Sequence, residues 1–251
     1  MVGSALTGGS LSAALRQLPA DQPLPWRLRV LPLCASTELE LEHWLRAGAK
    51  PPLALLAWQQ RFGHGQQGRV WHSPPGGVWL SAALPWPAEP NGAASLALAA
   101  ALGIALQLET LGLRPQIKWP NDLLIEGRKL AGILPRLRWR GGQVRYAQLG
   151  VGINGQNRVP IGAINLAGAL GRPQHPDAQP ARLAARVLRG LEWASAASNQ
   201  PELVRRQAEQ RLWRPEWLEH EGQRWNVDGL SVEGGLRLRR GTAVAVLQRR
   251  F

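Results

Sequence analysis

The chain has 251 residues, 45% of them hydrophobic, and 30 Lys and Arg against 17 Asp and Glu give it a formal charge of +13. That length fits one large domain or one domain with a small appendage, and a single cysteine, Cys34, excludes an internal disulfide and any Cys-x-x-Cys metal or redox site. The basic residues are spread along the chain without a nucleic-acid-binding module, so solvated basic surface is the first reading of the charge and nucleic-acid binding an alternative.

Residues 1–25 lack a basic stretch followed by a continuous apolar one, which gives no support for secretion and points to a cytoplasmic, poorly structured leading segment. The first strand is predicted near Trp26. "PWRLRVLPLCAST" reads as a strand that ends at a Ser36-Thr37 helix start, and "ELELEHWLRAG" as a short amphipathic helix stopped by Gly48. A buried strand, "LALLAW", follows. It runs into "RFGHGQQGR" (Arg61 to Arg69), where Gly63, Gly65 and Gly68 spell G-x-G-x-x-G.

That pattern marks a dinucleotide site only when a helix opens at the last glycine and an acidic residue follows about 20 positions on. Here Pro74, Pro75, Gly76 and Gly77 occupy the place of the helix, and the first carboxylate after Gly63 is Glu89. The segment is therefore expected to be a glycine-rich loop between two strands. "GGVWLSAALPW" and "QIKW" supply further strands. Between them, Ala93 to Leu113 is uncharged until Glu109, but its apolar part falls short of the ~20 residues that a membrane span needs. It reads as a core helix apolar nearly all round.

From Asp122 to Asn154 the pattern becomes hairpins, with turns at Glu126-Gly127 and Gly141-Gly142. Pro180 to Ala197 sets Leu183, Val187, Leu188 and Leu191 on one helical face, and "PELVRRQAEQRLW" is a second helix broken at Arg214-Pro215. Past Gly222, short strands with turns at Gly229 and Gly234-Gly235 suggest a β module too small to fold alone. Mixed strands with segregated helices indicate an α+β domain.

Of the basic residues only Lys50, Lys118 and Lys129 are lysines. Two of them fall in the most specific string of the chain, Lys118-Trp-Pro-Asn-Asp122 followed by Gly127-Arg-Lys-Leu-Ala-Gly-Ile-Leu134. A strand, a turn and a strand explain Pro120 and Asn121 but not both lysines, since arginine cannot imitate a compact, freely rotating ammonium.

Here the sequence resembles the biotin–protein ligases, whose catalytic domains carry K-W-P-N-D and R-K-L-A-G-I-L at this spacing. Ser36-Thr37, Gln60, the loop from Gly63 to Arg69, Trp71 and "GVGIN" continue the likeness, which runs from Trp26 to Asn154 and more weakly to the C-terminal module. The resemblance implies a mixed, largely antiparallel sheet with helices packed on it, related to class II aminoacyl-tRNA synthetases. It implies a catalytic domain over 26–219, an SH3-like module over 220–251, and a monofunctional form without a DNA-binding domain.

It further implies ATP-dependent activation of biotin to biotinyl-5'-AMP and transfer to a lysine of biotin carboxyl carrier protein of acetyl-CoA carboxylase, with Mg²⁺ accompanying ATP; a homodimer is compatible with it. Lys118 and Arg69 take the catalytic positions. Ser36, Thr37, Gln60, Gly63, His64, Gly65, Gln66, Trp71, Lys118 and Gly152 fall at the biotin site. Gly65, Arg69, Lys118, Asn121 and Asn154 fall at the ATP or adenylate site, while Asp122 and Lys129 are read as supporting or turn-forming residues. No resident metal is expected.

This chain departs from the family where arginines are usual, at His64 and Gln66, and where asparagine is usual, at Glu38. Loss of two charge-assisted contacts is expected to loosen the adenylate. Lipoate–protein ligase is the alternative within the same family, and a Cys34 nucleophile would instead suggest acyl transfer of the octanoyl kind.

Overall fold

The computed structural model describes residues 6–87 and 96–248. Its main sheet is built from β1 (Arg27–Leu31), β2 (Leu53–Ala57), β3 (Val78–Leu84), β4 (Gln116–Lys118), β5 (Asp122–Ile125), β6 (Arg128–Arg140) and β7 (Gln143–Ile153). They lie in the order β1-β2-β3-β7-β6-β5-β4. Among the helices are α1 (Gly8–Gln17), α2 (Thr37–Arg46), α3 (Leu96–Glu109), the single turn α4 (Leu166–Ala169), α5 (Pro180–Ala196) and α6 (Pro201–Gln210). β1 and β2 run parallel, which requires a crossover between them, and α2 provides it. The other neighbouring pairs run antiparallel, as the α+β reading expected.

Strand alternation gives the sheet two buried faces of different kinds. Ala54, Leu56, Leu80, Ala82 and Leu84 join α3 and α5 in the main core. Their neighbours Leu53, Leu55 and Ala83 turn the other way and meet Leu41 and Trp44 of α2 in a smaller cluster. Helix α3 is buried at every residue from Leu96 to Ala105, because it has the sheet on one side and α5 on the other. Ala93 to Ser95, included in the sequence reading of that helix, lie outside the described residues. No helix among the described residues is long and apolar enough to cross a membrane.

The N-terminal segment differs from expectation. Thr7 caps α1 in a capping box with Ser10, and Leu11 is wholly buried. The reason lies far away in sequence. Arg189 of α5 donates to the Leu15 carbonyl at 2.7 Å and pairs with Glu192 at 2.7 Å. Glu192 in turn accepts from the Trp26 indole at 2.8 Å.

At the other end, β8 (Leu218–His220), β9 (Gln223–Leu230), β10 (Leu236–Arg240) and β11 (Ala243–Leu247) form a four-stranded antiparallel sheet. It starts slightly ahead of the expected position, and residues 249–251 lie outside the described part. Gly229, expected in a turn, lies within β9 beside a register shift, where a Cβ would run into the Glu209 carboxylate. The module does not stand alone: Leu230, Leu236, Leu238 and Trp225 belong to the main core. Glu209 of α6 accepts from the Leu230 N–H at 3.1 Å, and the Trp119 indole donates to the Gly234 carbonyl at 2.9 Å.

Helix α3 reaches α5 at a glycine pair. A Cβ on Gly103 would overlap the Gly190 carbonyl, and one on Gly190 would sit 2.7 Å from the Gly103 carbonyl carbon. Gly103→Val should therefore destabilise the protein by on the order of 1–3 kcal/mol through overpacking. Thermal melting should show it as a loss of about 2–4 °C per kcal/mol for a chain of this size; an unchanged melting temperature would mean that the helices can separate freely.

Candidate active site

The second face of the sheet is only partly covered by α2, and a cavity of about 330 Å³ opens beside it, a volume suited to a small molecule. Its floor is set by register. Gly132 of β6 stands opposite Gly152 of β7, and Leu134 stands opposite Gly150. Three glycines on one face of two adjacent strands leave a floor almost free of side chains. Trp71 lies on it: a Cβ on Gly152 would come 2.5 Å from the indole nitrogen, and one on Gly132 would come 3.0 Å from the ring. Trp79 meets Trp71 edge-on, with centroids 6.5 Å apart. The buried indole nitrogen of Trp71 has no hydrogen-bond partner.

The glycine loop forms one wall. It is a small hairpin, with Trp71 N–H donating to Gly63 O at 2.9 Å and Gly65 N–H donating to Arg69 O at 2.7 Å. Its tip is a single turn of 3₁₀ helix, Gln66–Gly68, so no long helix follows the last glycine and the dinucleotide reading fails on structure as it did on sequence. Gly63 does not line the cavity. It is needed because a Cβ there would stand 2.6 Å from both Ser73 Oγ and the Trp71 carbonyl. Gly65, His64, Gln66 and Arg69 do line it, with Arg69 exposed at the rim.

Beside the loop, and touching it through Glu38 and His64, the start of α2 supplies a linked set of polar groups. Ser36 caps the helix by accepting from Glu38 N–H at 3.3 Å. Gln60 Oε1 accepts from the Thr37 N–H at 2.8 Å and from its hydroxyl at 3.0 Å. The Gln60 amide nitrogen donates to Ser73 at 2.8 Å, and the Thr37 hydroxyl also lies 2.9 Å from Ser81 Oγ. Sequence reading placed Ser36, Thr37 and Gln60 here but not Ser73 and Ser81, which sit in no recognisable motif.

The two lysines of the string have different surroundings. Lys118 ends β4 exposed, its Nζ 5.3 Å from the Trp213 ring centroid, and it does not line the cavity. The cause is local: Ile117 is bonded by its backbone to Arg211 and Trp213, at 2.7 and 2.9 Å, so β4 is flanked by the segment carrying Trp213. Lys129 does line the cavity. Its ammonium is 2.7 Å from Asp122 and 5.1 Å from the Trp71 centroid. Of the two lysines of that string, Lys129, with Asp122 as its partner, lines the cavity and Lys118 does not.

Asn121 and Asn154 also line the cavity. Asn121 donates to Ile133 O at 2.6 Å, tying the turn to β6. Asn154 donates to Ile164 O at 3.2 Å and accepts from Asn157 at 3.0 Å, which leaves one N–H for a ligand. Cys34 is buried, and burial, then the charge of Glu40, pushes its thiol up to about 11. It is protonated at neutral pH and unsuited to be a nucleophile.

A mixed sheet with a glycine-floored cavity, a lysine in its wall and a glycine loop across its edge defines the class. Residues 30–154 match the Biotin/lipoate A/B protein ligase family, and through that domain the chain belongs to this family. It is 35% identical over 170 residues to the bifunctional ligase/repressor BirA of Escherichia coli, covering 63% of this chain and 51% of that one. It is 36% identical over 117 residues to the biotin–[acetyl-CoA-carboxylase] ligase of Paracoccus denitrificans, covering 44% and 47%. The chain thus spans about half the length of these curated relatives. Biotin protein ligase from Aquifex aeolicus, solved in complex with biotin and ATP, superimposes with a TM-score of 0.70 over 89% of this chain and 96% of that one, at 23% identity; this likeness concerns the fold.

Gly152→Val should push Trp71 off the floor without touching the loop sequence. Near-ultraviolet circular dichroism should lose intensity from the Trp71–Trp79 pair while the far-ultraviolet spectrum persists; an unchanged near-ultraviolet spectrum would show that the indole does not depend on the glycine.

Proposed function

We propose that the protein is an ATP-dependent biotin–protein ligase. The observation that carries this reading is that Trp71 on a glycine floor, Lys129 and the hydrogen-bonded set Thr37, Gln60 and Ser81 all line one cavity. The names of the relatives support it, since one is a biotin–[acetyl-CoA-carboxylase] ligase and the Aquifex structure holds biotin and ATP.

Biotin's fused rings would pack against Trp71. Its ureido group, with two N–H donors and a carbonyl acceptor, would pair with Ser36, Thr37 and Gln60, which offer both kinds of partner. A carboxylate oxygen would attack the α-phosphorus of ATP, forming the mixed anhydride biotinyl-5'-AMP while pyrophosphate departs. Lys129 would follow the negative charge from carboxylate to phosphoryl oxygen, with Asp122 fixing its direction, and Arg69 at the rim would hold phosphate oxygens by its planar fork. Asn121 and Asn154 would border the nucleotide.

In the second half-reaction a carrier lysine amine attacks the acyl carbon, AMP leaves with the bonding electrons, and an amide remains. Catalysis of this kind rests on positioning and on neutralising developing charge. The carrier we propose is biotin carboxyl carrier protein of acetyl-CoA carboxylase. Mg²⁺ would accompany the triphosphate, held mainly by phosphate oxygens and water.

Biotin-dependent exchange of pyrophosphate into ATP tests the reading. The wild type should exchange with biotin, Lys129→Gln should lose on the order of 10²–10³-fold, the scale of one electrostatic contact to a developing anion, and Lys118→Arg should stay within about twofold. Exchange with lipoate but not biotin would select the sister activity, and loss of exchange in Lys118→Arg with retention in Lys129→Gln would reverse the assignment of the lysines.

A further inference from the structure

Glu38 and His64, two of the positions where this chain departs from the biotin–protein ligase pattern, touch each other. His64 Nε2 lies 2.8 Å from Glu38 Oε2, and the other oxygen of the same carboxylate lies 3.0 Å from Arg136 Nη1 of β6. Glu38 is 8% exposed, although the other carboxylates of α2 (Glu40 and Glu42) are more open. It stands in the first turn of α2, where the helix dipole favours a negative charge. One carboxylate thus joins three elements that converge on the cavity: the start of α2, the glycine loop and β6.

We infer that Glu38, His64 and Arg136 form a latch that holds the glycine loop down against the cavity, so that loop closure in this protein rests on a contact within the protein. The inference deepens the ligase reading of the same site. His64 is well placed for this work because it pairs with Val70 across the loop hairpin, and the flanking backbone bonds, Gly65 N–H to Arg69 O and Gly63 O to Trp71 N–H, lie on either side of that pair. Fixing the imidazole fixes the hairpin, and with it Arg69 at the rim and Trp71 on the floor. Arg136 holds the second oxygen of Glu38 and so limits the directions in which the carboxylate can meet the imidazole.

A latch of this kind alters the expectation drawn from the missing arginines. A neutral or singly charged imidazole reaching for the ligand would hold an adenylate weakly. An imidazole bound to a buried carboxylate instead retains the intermediate by keeping the loop shut. Glu38, His64 and Arg136 are then positioning residues, acting on Arg69 and Trp71 and not on the reacting atoms.

The loop carries its own reporter, since trypsin cleaves after Arg61 and Arg69. Limited tryptic digestion of the full chain without ligand should proceed slowly in the wild type and about tenfold or more faster in His64→Ala and Glu38→Ala, the scale of one lost charge-assisted hydrogen bond. His64→Gln, whose amide can still donate to Glu38, should restore resistance. Where biotinyl-adenylate forms, its release should accelerate in parallel in the two alanine variants. Thermal melting controls for misfolding, and Arg136→Ala offers a second route, with faster loop cleavage at an unchanged melting temperature. Cleavage and release rates in His64→Ala equal to the wild type, or cleavage in His64→Gln as fast as in His64→Ala, would overturn the latch. The digestion uses no ligand, so it judges the latch even if the wild type shows no biotin-dependent exchange.

Discussion

Gly132 faces Gly152 across β6 and β7, and that register governs what the open face of the sheet can hold. Side chains alternate strictly along a strand, so a slip of one residue exchanges the two faces. Here the flanking positions are Ala131, Ile133, Val151 and Ile153, all in the main core. A slip would drive an isoleucine into Trp71 and leave glycines where the core needs bulk. The hydrophobic demand of one face therefore secures the emptiness of the other. Trp71 can occupy the floor because glycine leaves room for its ring, and the loop that carries Trp71 can close because Gly63 admits Ser73 and the Trp71 carbonyl at close range.

The rest of the molecule supports that face from behind and from its ends. Helices α3 and α5 meet at Gly103 and Gly190 and cover the core side. Arg189 and Glu192 tie in the leading segment, and Glu209 and Trp119 tie in the C-terminal sheet. Trp119 deserves its place beside Asn121 and Asp122: the indole that anchors the small module is in the same turn as two residues of the cavity wall. The cavity itself is lined by cationic and by neutral polar groups, Lys129 and Arg69 as well as the hydrogen-bonded Thr37 and Gln60.

Much of the fold was legible because its signals are local. The short continuous apolar run "LALLAW", the turn glycines of the β6–β7 hairpin and the apolar surface of α3 are each read from neighbouring residues, and the structure has an element at each. Helix α1 was not legible, since its burial depends on Arg189 and Glu192 more than 160 residues away. The site was legible as a set of motifs, but not at the level of which lysine enters the cavity. Lys118 and Lys129 lie in one motif-bearing string, and the tertiary path of β4 beside Trp213 separates them. Ser73 and Ser81 carry no signal at all, because a serine acquires meaning only from the partner it meets. The contact between Glu38 and His64 was visible as two separate departures and became one feature only when loop and helix were brought together.

The account rests on the claim that the glycine floor with Lys129 in its wall is where an acid is activated. A crystal structure of the protein grown with biotin and ATP tests this most directly. The account predicts ligand density over Gly132 and Gly152 against Trp71, with the Lys129 ammonium within hydrogen-bonding distance of the biotin carboxylate or the α-phosphate and Lys118 still beside Trp213. Ligand bound elsewhere, or Lys118 reaching the phosphate while Lys129 stays on Asp122, would contradict it.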